Sequence, residues 1–335
     1  MSVLTKKPKA ISLLSGGLDS VLATKIVMEQ GVEVIALHFT SPFCTCSRGK
    51  KGCGIQALRS ARELKIEVIV REKGMDYMKI VERPKFGYGS NMNPCIDCRI
   101  YMLKRAKELM DETGASFVVT GEVLNQRPMS QNRNALRLIE KEAGLEGRVL
   151  RPLSAKFLPP TIPEIEGLVK REKLLSIKGR GRKAQYELVR QYGINEFACP
   201  AGGCLLTDPA FSKRVRDMFL FQKDYTMLDV LLLKLGRHLR FDDTLKIIVA
   251  RNRLENEKLE RFKGPLYTLL SPADFNGPNV LIVGPKTERS LKIGVSVMAW
   301  YAKNHNRFIK VRIKGTVEET ALIERSDFDV NSHLI

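Results

Sequence analysis

Over the first 120 residues, short β-prone runs alternate with helical stretches, and this alternation limits the possible folds more than any other feature of the chain. Residues 10–14 read as a strand, 19–30 as a helix and 32–39 as a second strand. The rhythm continues with a helix over 55–64, a strand over 66–70, a long helix over 96–112 and a strand over 116–120. Strands separated by helical crossovers pair in parallel, and their helices cover both faces of the sheet. The pattern predicts an α/β fold, a doubly wound parallel sheet with ligands gathered at the carboxyl ends of its strands.

The alternation loosens after Arg151-Pro152, resumes with a helix over 163–173, and reaches a basic loop carrying Lys178, Arg180, Arg182 and Lys183. A helix over 184–192 then stops at Gly193, a residue suited to the left-handed cap. Beyond Asp208-Pro209 the segments become short and basic, with Lys213, Arg214 and Arg216, then Lys234, Arg237 and Arg240. We place a domain boundary there, giving domains 1–207 and 208–335. The second is expected to be a smaller α+β module, with strands over 246–250, 280–283 and 308–313 and a helix over 289–303.

Charge narrows the partners. Of 335 residues, 56 are Lys or Arg and 37 Asp or Glu, a net charge of +19 that favours a polyanion such as nucleic acid. An apolar share of 44% supports packed cores rather than disorder. No stretch approaches the roughly 20 apolar residues of a membrane span, and no signal-peptide pattern opens the chain, so a soluble, cytoplasmic protein is expected. The seven cysteines fall as Cys44, Cys46 and Cys53, then Cys95 and Cys98, then Cys199 and Cys204. In a reducing compartment such spacing is read as metal or redox chemistry before disulfides.

Ser15-Gly16-Gly17-Leu18-Asp19-Ser20 joins the first strand to the first helix. Two glycines let the backbone turn sharply against a ligand, and the following helix offers unpaired donors and its positive dipole end. The junction suits an anion, yet it is neither a dinucleotide fingerprint nor a Walker loop. A carboxylate at Asp19 beside phosphates makes sense with Mg2+ between them.

This hexapeptide resembles the pyrophosphate loop of the PP-loop ATP pyrophosphatase superfamily, whose sheet is adenine nucleotide alpha hydrolase-like. Further stretches sharpen the likeness: residues 118–126, Ser130-Gln131-Asn132, Leu136-Arg137-Leu138-Ile139 and Leu150-Arg151-Pro152-Leu153. Together they resemble the ThiI family of tRNA 4-thiouridine synthetases over roughly residues 10–207. The resemblance implies that Leu13, Leu14, Ser15, Gly16, Gly17, Asp19 and Ser20 bind ATP at the loop. It also implies contacts from His38, Phe39, Arg99, Gly121 and Gln131, with Asp19 and Cys204 as the catalytic residues. His38 and Phe39 end a strand, where a ligand crevice is expected. A backbone-bonded edge histidine at 38 and a surface charge at 99 are the plainer alternatives.

Cys95-x-x-Cys98 is an addition to the common ThiI pattern and resembles iron–sulfur branches of the PP-loop thiolases. By that likeness Cys95, Cys98 and Cys204 would hold a [4Fe-4S] cluster with one iron open. Zn2+, with Cys44, Cys46 and Cys53 contributing, or plain thiols are the alternatives, and Cys199 has no assigned role. The ThiI likeness would also lead one to expect a THUMP module and a rhodanese-like domain, and neither is recognisable. The C-terminal domain resembles the RNA-binding NFACT-R module through residues 277–283, Trp300-Tyr301 and residues 308–312, with Arg307, Lys310, Arg312 and Lys314 as phosphate contacts. The expected function is ATP-dependent thiolation of a tRNA uridine to 4-thiouridine or 2-thiouridine. A sulfur-donor protein such as a cysteine desulfurase is an expected partner. A PP-loop enzyme for a small molecule or another nucleobase, and an RNA-binding protein with a regulatory ATP site, stay open.

Overall fold

The computed structural model describes residues 7–45, 53–198, 203–262, 264–315 and 318–335, with only the backbone of Cys53. Two compact units meet in sequence between Thr207 and Asp208. No described helix is long and apolar enough to cross a membrane.

In the first unit the elements run β1 (Lys9–Leu13), α1 (Leu18–Met28), β2 (Glu33–Thr40), α2 (Cys53–Leu64), β3 (Val68–Glu72) and α3 (Met75–Glu82). They continue with α4 (Cys95–Thr113), β4 (Phe117–Thr120), α5 (Arg133–Ala143), β5 (Val149–Leu150), α6 (Ile162–Ile165) and α7 (Lys183–Gln191). The described strands form one parallel sheet in the order β3-β2-β1-β4-β5. The chain therefore leaves β1 towards β2 and β3, then crosses back to β4 and β5. This is the doubly wound sheet expected from the alternation, and its switch point lies between β1 and β4.

Side-chain alternation explains how both faces are filled. Ala10, Val34, Ala36, Phe117 and Val119 face α1 in one apolar cluster. Ile11, Leu13, Ile35, Leu37 and Val118 face the opposite way onto Leu103, Ala106, Leu109 and Ile139 of α4 and α5. Strands buried on both sides read as continuous apolar runs. One expected helix does not form: residues 163–173 hold only the short α6 and a single 3-10 turn at Arg171–Lys173. Gly167 at φ +72° ends the run between them.

The second unit comprises α8 (Pro209–Phe221), α9 (Met227–Leu232), β6 (Arg237–Arg240), β7 (Lys246–Val249), α10 (Arg253–Leu259) and β8 (Tyr267–Pro272). It ends with β9 (Val280–Val283), α11 (Glu288–Ala302), β10 (Phe308–Lys314) and β11 (Glu318–Glu324). The described strands form a sheet in the order β11-β10-β8-β9-β7-β6, each neighbouring pair antiparallel. The α+β class holds, and β6, β8 and β11 are additions to the sequence reading.

Candidate active site

The loop after β1 is braced by its own serines. Ser15 N–H donates to Ser20 Oγ at 3.2 Å, the two hydroxyls lie 3.0 Å apart, and Ser20 Oγ–H donates to Gly17 O at 2.8 Å. Gly16 sits at φ +74°, and a β-carbon there would come within 2.6 Å of the Ala57 backbone on α2. Gly121, just past β4, is packed so closely on the start of α1 that a β-carbon would lie 2.5 Å from Asp19 C and Ser20 N. Both glycines are required by the packing. Gly17 is different: its φ of −83° is open to any residue, and a β-carbon would meet only Ser15 Oγ at 3.4 Å.

These elements enclose a cavity of about 950 Å³ at the carboxyl ends of the strands. Of the residues expected to bind nucleotide, Leu13, Leu14, Ser15, Gly17, Asp19, Ser20, His38, Phe39, Arg99, Gly121 and Gln131 line it, while Gly16 turns its back to it. Asp19 accepts hydrogen bonds from Gln126 Nε2 and Gln185 Nε2, each at 3.2 Å, and stands 4.0 Å from Arg182. Gln131 is buried, yet its Oε1 has no hydrogen-bond partner among the described residues.

His38 bridges neighbouring strands: its Nδ1–H donates to Leu14 O at 2.9 Å. Burial, outweighing that hydrogen bond, lowers its pKa, which keeps the ring neutral with Nε2 as the acceptor. The backbone-bonded alternative thus describes its hydrogen bond, but the ring still faces the cavity. Arg99, in the first turns of α4, places Nε 3.5 Å from Glu122 Oε1, and Arg151 Nε donates to Glu122 Oε2 at 3.0 Å. Burial would raise the Glu122 carboxyl, but Arg151 and Arg99 outweigh it and hold the group ionised.

The lining cations are Arg59, Lys73, Arg99, Arg127 and Arg182, set against Asp19, Glu122 and Glu196. Arg127 shows the crowding: burial and then the nearby Arg99 lower its pKa. A cavity with surplus positive charge at a strand-to-helix junction is built for a polyanion. Arg59, Lys73, Gln126, Arg127 and Gln185 were not singled out from sequence as site residues. The first four reach the cavity through the tertiary fold and Gln185 through its hydrogen bond to Asp19, and only Gln126 lies in a stretch that sequence had flagged.

Cys44, Cys95, Cys98 and Cys204 are the cysteines whose side chains the structure describes. Cys95 begins α4, so Cys98 lies in its first turn, where the helix dipole favours a thiolate. Cys204 lies opposite Cys44 in an antiparallel bridge, held by Leu205 N–H to Phe43 O at 2.7 Å. Met92 N–H donates to Leu206 O at 3.0 Å, which ties the approach to α4 to the Cys204 segment. Cys44, Lys73 and Gly203 line the cavity, whereas Cys95, Cys98 and Cys204 do not.

Lys73 is 6% exposed, and its ammonium lies 3.0 Å from Cys98 Sγ and 4.7 Å from the Tyr77 ring centroid. Burial would raise the Cys98 thiol, but Lys73, a hydrogen bond from Tyr77 and Arg99 bring it below the usual thiol value. Cys204 goes the other way, pushed up to about 11 by burial first, with Cys98 and Cys95 adding to the rise. Cys95 is also raised, by burial and then by Cys98. Among the described residues no three His, Cys, Asp or Glu side chains are gathered to hold a metal ion, the expected trio of Cys95, Cys98 and Cys204 included. Cys46 and Cys199 lie outside the described residues, as does the Cys53 side chain.

Residues 5–156 match the family model of the thiamine biosynthesis protein ThiI. The match takes in most of the first unit. Residues 236–330 match the family model of the NFACT protein RNA binding domain. A probable tRNA sulfurtransferase of Thermococcus kodakarensis is 30% identical over 150 residues, covering 43% of this chain and 36% of that protein. Another from Methanothermobacter thermautotrophicus is 29% identical over 164 residues, covering 49% of this chain and 40% of that protein. The chain thus aligns with less than half the length of these relatives. A crystal structure of a 4-thiouridine synthetase–RNA complex with bound ATP is similar at 21% identity and a TM-score of 0.37, covering 68% of this chain and 51% of that one.

Proposed function

We propose that this protein is an ATP-dependent tRNA sulfurtransferase, which adenylates a uridine carbonyl oxygen and exchanges that oxygen for sulfur, making 4-thiouridine or 2-thiouridine. One observation carries the reading: a single cavity is lined both by the loop of residues 15–20 and by Cys44, Lys73 and Gly203 of the cysteine region. Activation and sulfur delivery require that neighbourhood. The match to the ThiI family model and the relatives named as tRNA sulfurtransferases support it.

ATP fits the cavity. The loop and the start of α1 supply backbone donors for its phosphates, Gln131 lines the same cavity, and Arg127 and Arg182 offset charge. Asp19 is the carboxylate that would hold Mg2+, which supplies charge neutralisation at the phosphates. The uridine oxygen attacks the α-phosphorus, the bond to the β,γ-diphosphate breaks, and pyrophosphate leaves. A sulfur nucleophile then adds to the base carbon, and the carbon–oxygen bond breaks with AMP as the leaving group. Conversion of an oxide into a phosphate ester is what ATP contributes.

Cys204 is the thiol assigned to sulfur transfer. A cysteine desulfurase is the expected source of the sulfur that it passes on. Cys95, Cys98 and Cys204 are ligands of the kind that hold a [4Fe-4S] cluster with one open iron, which would supply a binding point for sulfide, but as they stand the three are not gathered into a metal site. Zn2+ would need a fourth ligand for a closed site. Iron and sulfide analysis of anaerobically purified protein tests that assignment. We place the enzyme in the cytoplasm and give residues 208–335 the task of holding RNA.

Release of AMP and pyrophosphate from ATP tests the function. It is expected to rise on adding an unmodified tRNA transcript and to disappear in Asp19→Ala. Release indifferent to tRNA would indicate a small-molecule substrate instead.

A further inference from the structure

The sheet of the second unit is covered unevenly, and its bare part carries an ordered set of side chains. On one face Leu270, Ile282, Ile309, Val311 and Ile313 pack with Ile293 and Val297 of α11. On the other, Leu232 of α9 and Leu259 of α10 pack onto Ile248, Leu269, Leu281 and Val283 of β7, β8 and β9. Among the described residues no side chain of β10 or β11 joins this second cluster. Along β10 the buried residues Ile309, Val311 and Ile313 therefore alternate with Phe308, Lys310, Arg312 and Lys314, all exposed on the bare side.

The antiparallel register sets Leu322 opposite Lys310 and Thr320 opposite Arg312. Phe308 is 48% and Leu322 65% exposed. At the ends of the ribbon, charge is matched: Arg307 pairs with Glu324 at 2.7 Å and Lys314 with Glu318 at 3.5 Å. In the middle, Lys310 has no ion pair among the described residues, and Arg312 donates only to the Pro272 carbonyl, at 3.2 Å. The centre of the ribbon is thus cationic, and it is flanked by the half-exposed ring of Phe308, which the Arg307 guanidinium overlies at 5.5 Å from the centroid, leaving the other side for a base.

Lys310 and Arg312 are two residues apart on a strand, a step of about 6.7 Å, which successive phosphates of a single strand can match. Cations that follow a backbone beside a ring on which a base can stack form a single-strand binding surface. We propose that the outward face of β10 and β11 docks single-stranded RNA, with Lys310 and Arg312 on phosphates and Phe308 stacked on a base. This rests on the RNA-holding role given to residues 208–335 and is independent of the thiolation chemistry. Trp300 is 51% exposed, but it stands on α11, the helix that covers the opposite face.

The full chain, titrated against a labelled 12-nucleotide oligouridylate over a range of salt concentrations, tests the proposal by fluorescence anisotropy. Lys310→Gln/Arg312→Gln is expected to weaken binding and to flatten the log–log salt dependence by about 1.4, two phosphate contacts on a single strand. Phe308→Ala is expected to weaken binding at least about fivefold at an unchanged salt slope. Trp300→Ala is expected to bind as the parent does, and thermal melting confirms that each variant is folded. Parental affinity and slope in the Gln pair, loss confined to Trp300→Ala, no oligouridylate binding by the parent, or tighter binding of a 12-base-pair RNA duplex would each overturn the proposal. None of these readouts requires ATP turnover, so a failed sulfurtransferase assay and a failed docking surface give different results.

Discussion

Gly16, Gly17 and Gly121 stand around one loop, and each is a glycine for a different reason. A left-handed φ and the backbone of α2 require Gly16, and close packing on α1 requires Gly121. Among the described residues nothing requires Gly17, so the account assigns its missing side chain to the approach of a nucleotide. Gly17→Ala is expected to leave the fold intact and to change its stability by no more than about 1 kcal/mol, since the gain through the unfolded state is offset at the N-cap of α1, where Ala is a poorer residue than Gly. ATP affinity, measured by calorimetry on the same variant, is expected to fall tenfold or more. Gly121→Ala is expected to lower stability by about 1–3 kcal/mol or more in urea unfolding, because backbone must move to admit the methyl group. Histidine sets the response to acid. Burial lowers the pKa of both His38 and His238 in the folded protein below the usual 6.5. Below that value the unfolded chain binds protons that the native state does not, so stability present above about pH 6.5 is lost as the pH falls. Each histidine contributes up to about 1.4 kcal/mol per pH unit. Urea unfolding at pH 7.5 and 5.5 measures the loss, and His238→Phe is expected to reduce the slope of the second unit.

At the scale of elements, the first unit was legible because its signals are local. Two-sided burial makes β1, β2 and β4 continuous apolar runs, and the Ser-Gly-Gly junction announces the turn into α1. In 163–173, helical propensity was overridden by Gly167. In the second unit, β6 reads Arg-His-Leu-Arg, too polar to stand out, yet its register beside β7 places His238 and Leu239 in the interior. The polar partners explain how that works. Asp217 of α8 binds Arg240 Nε and Nη2 at 2.8 Å each and Lys246 Nζ at 2.7 Å, fastening the helix to β6 and β7. Burial raises the Asp217 carboxyl, but Arg240 and Lys246 hold it ionised. Asp217→Asn leaves two cations crowded and unmatched, and we expect a loss of about 3–5 kcal/mol in the unfolding of the second unit. Site residues followed the same division. Asp19, His38, Arg99 and Gln131 lie in or beside recognisable blocks, whereas Lys73 follows β3 with no motif around it. Only the parallel pairing of β2 and β3 and the position of α4 bring its ammonium to Cys98.

For the molecule as a whole, the excess of basic residues has two destinations. Part lines the cavity of the first unit, as Arg59, Arg127 and Arg182, and part stands on the bare ribbon of β10 and β11. Phosphate contacts of this kind make RNA affinity fall with salt, while the chemistry depends on the loop and the cysteines. The most direct measurement incubates the purified protein with Mg-ATP, a sulfide source and an unmodified tRNA transcript, then digests the RNA and weighs its nucleosides by mass spectrometry. The account predicts a uridine heavier by the exchange of one oxygen for one sulfur, formed only with ATP and absent in Asp19→Ala. A transcript whose uridines stay unchanged while ATP is still cleaved to AMP would contradict it.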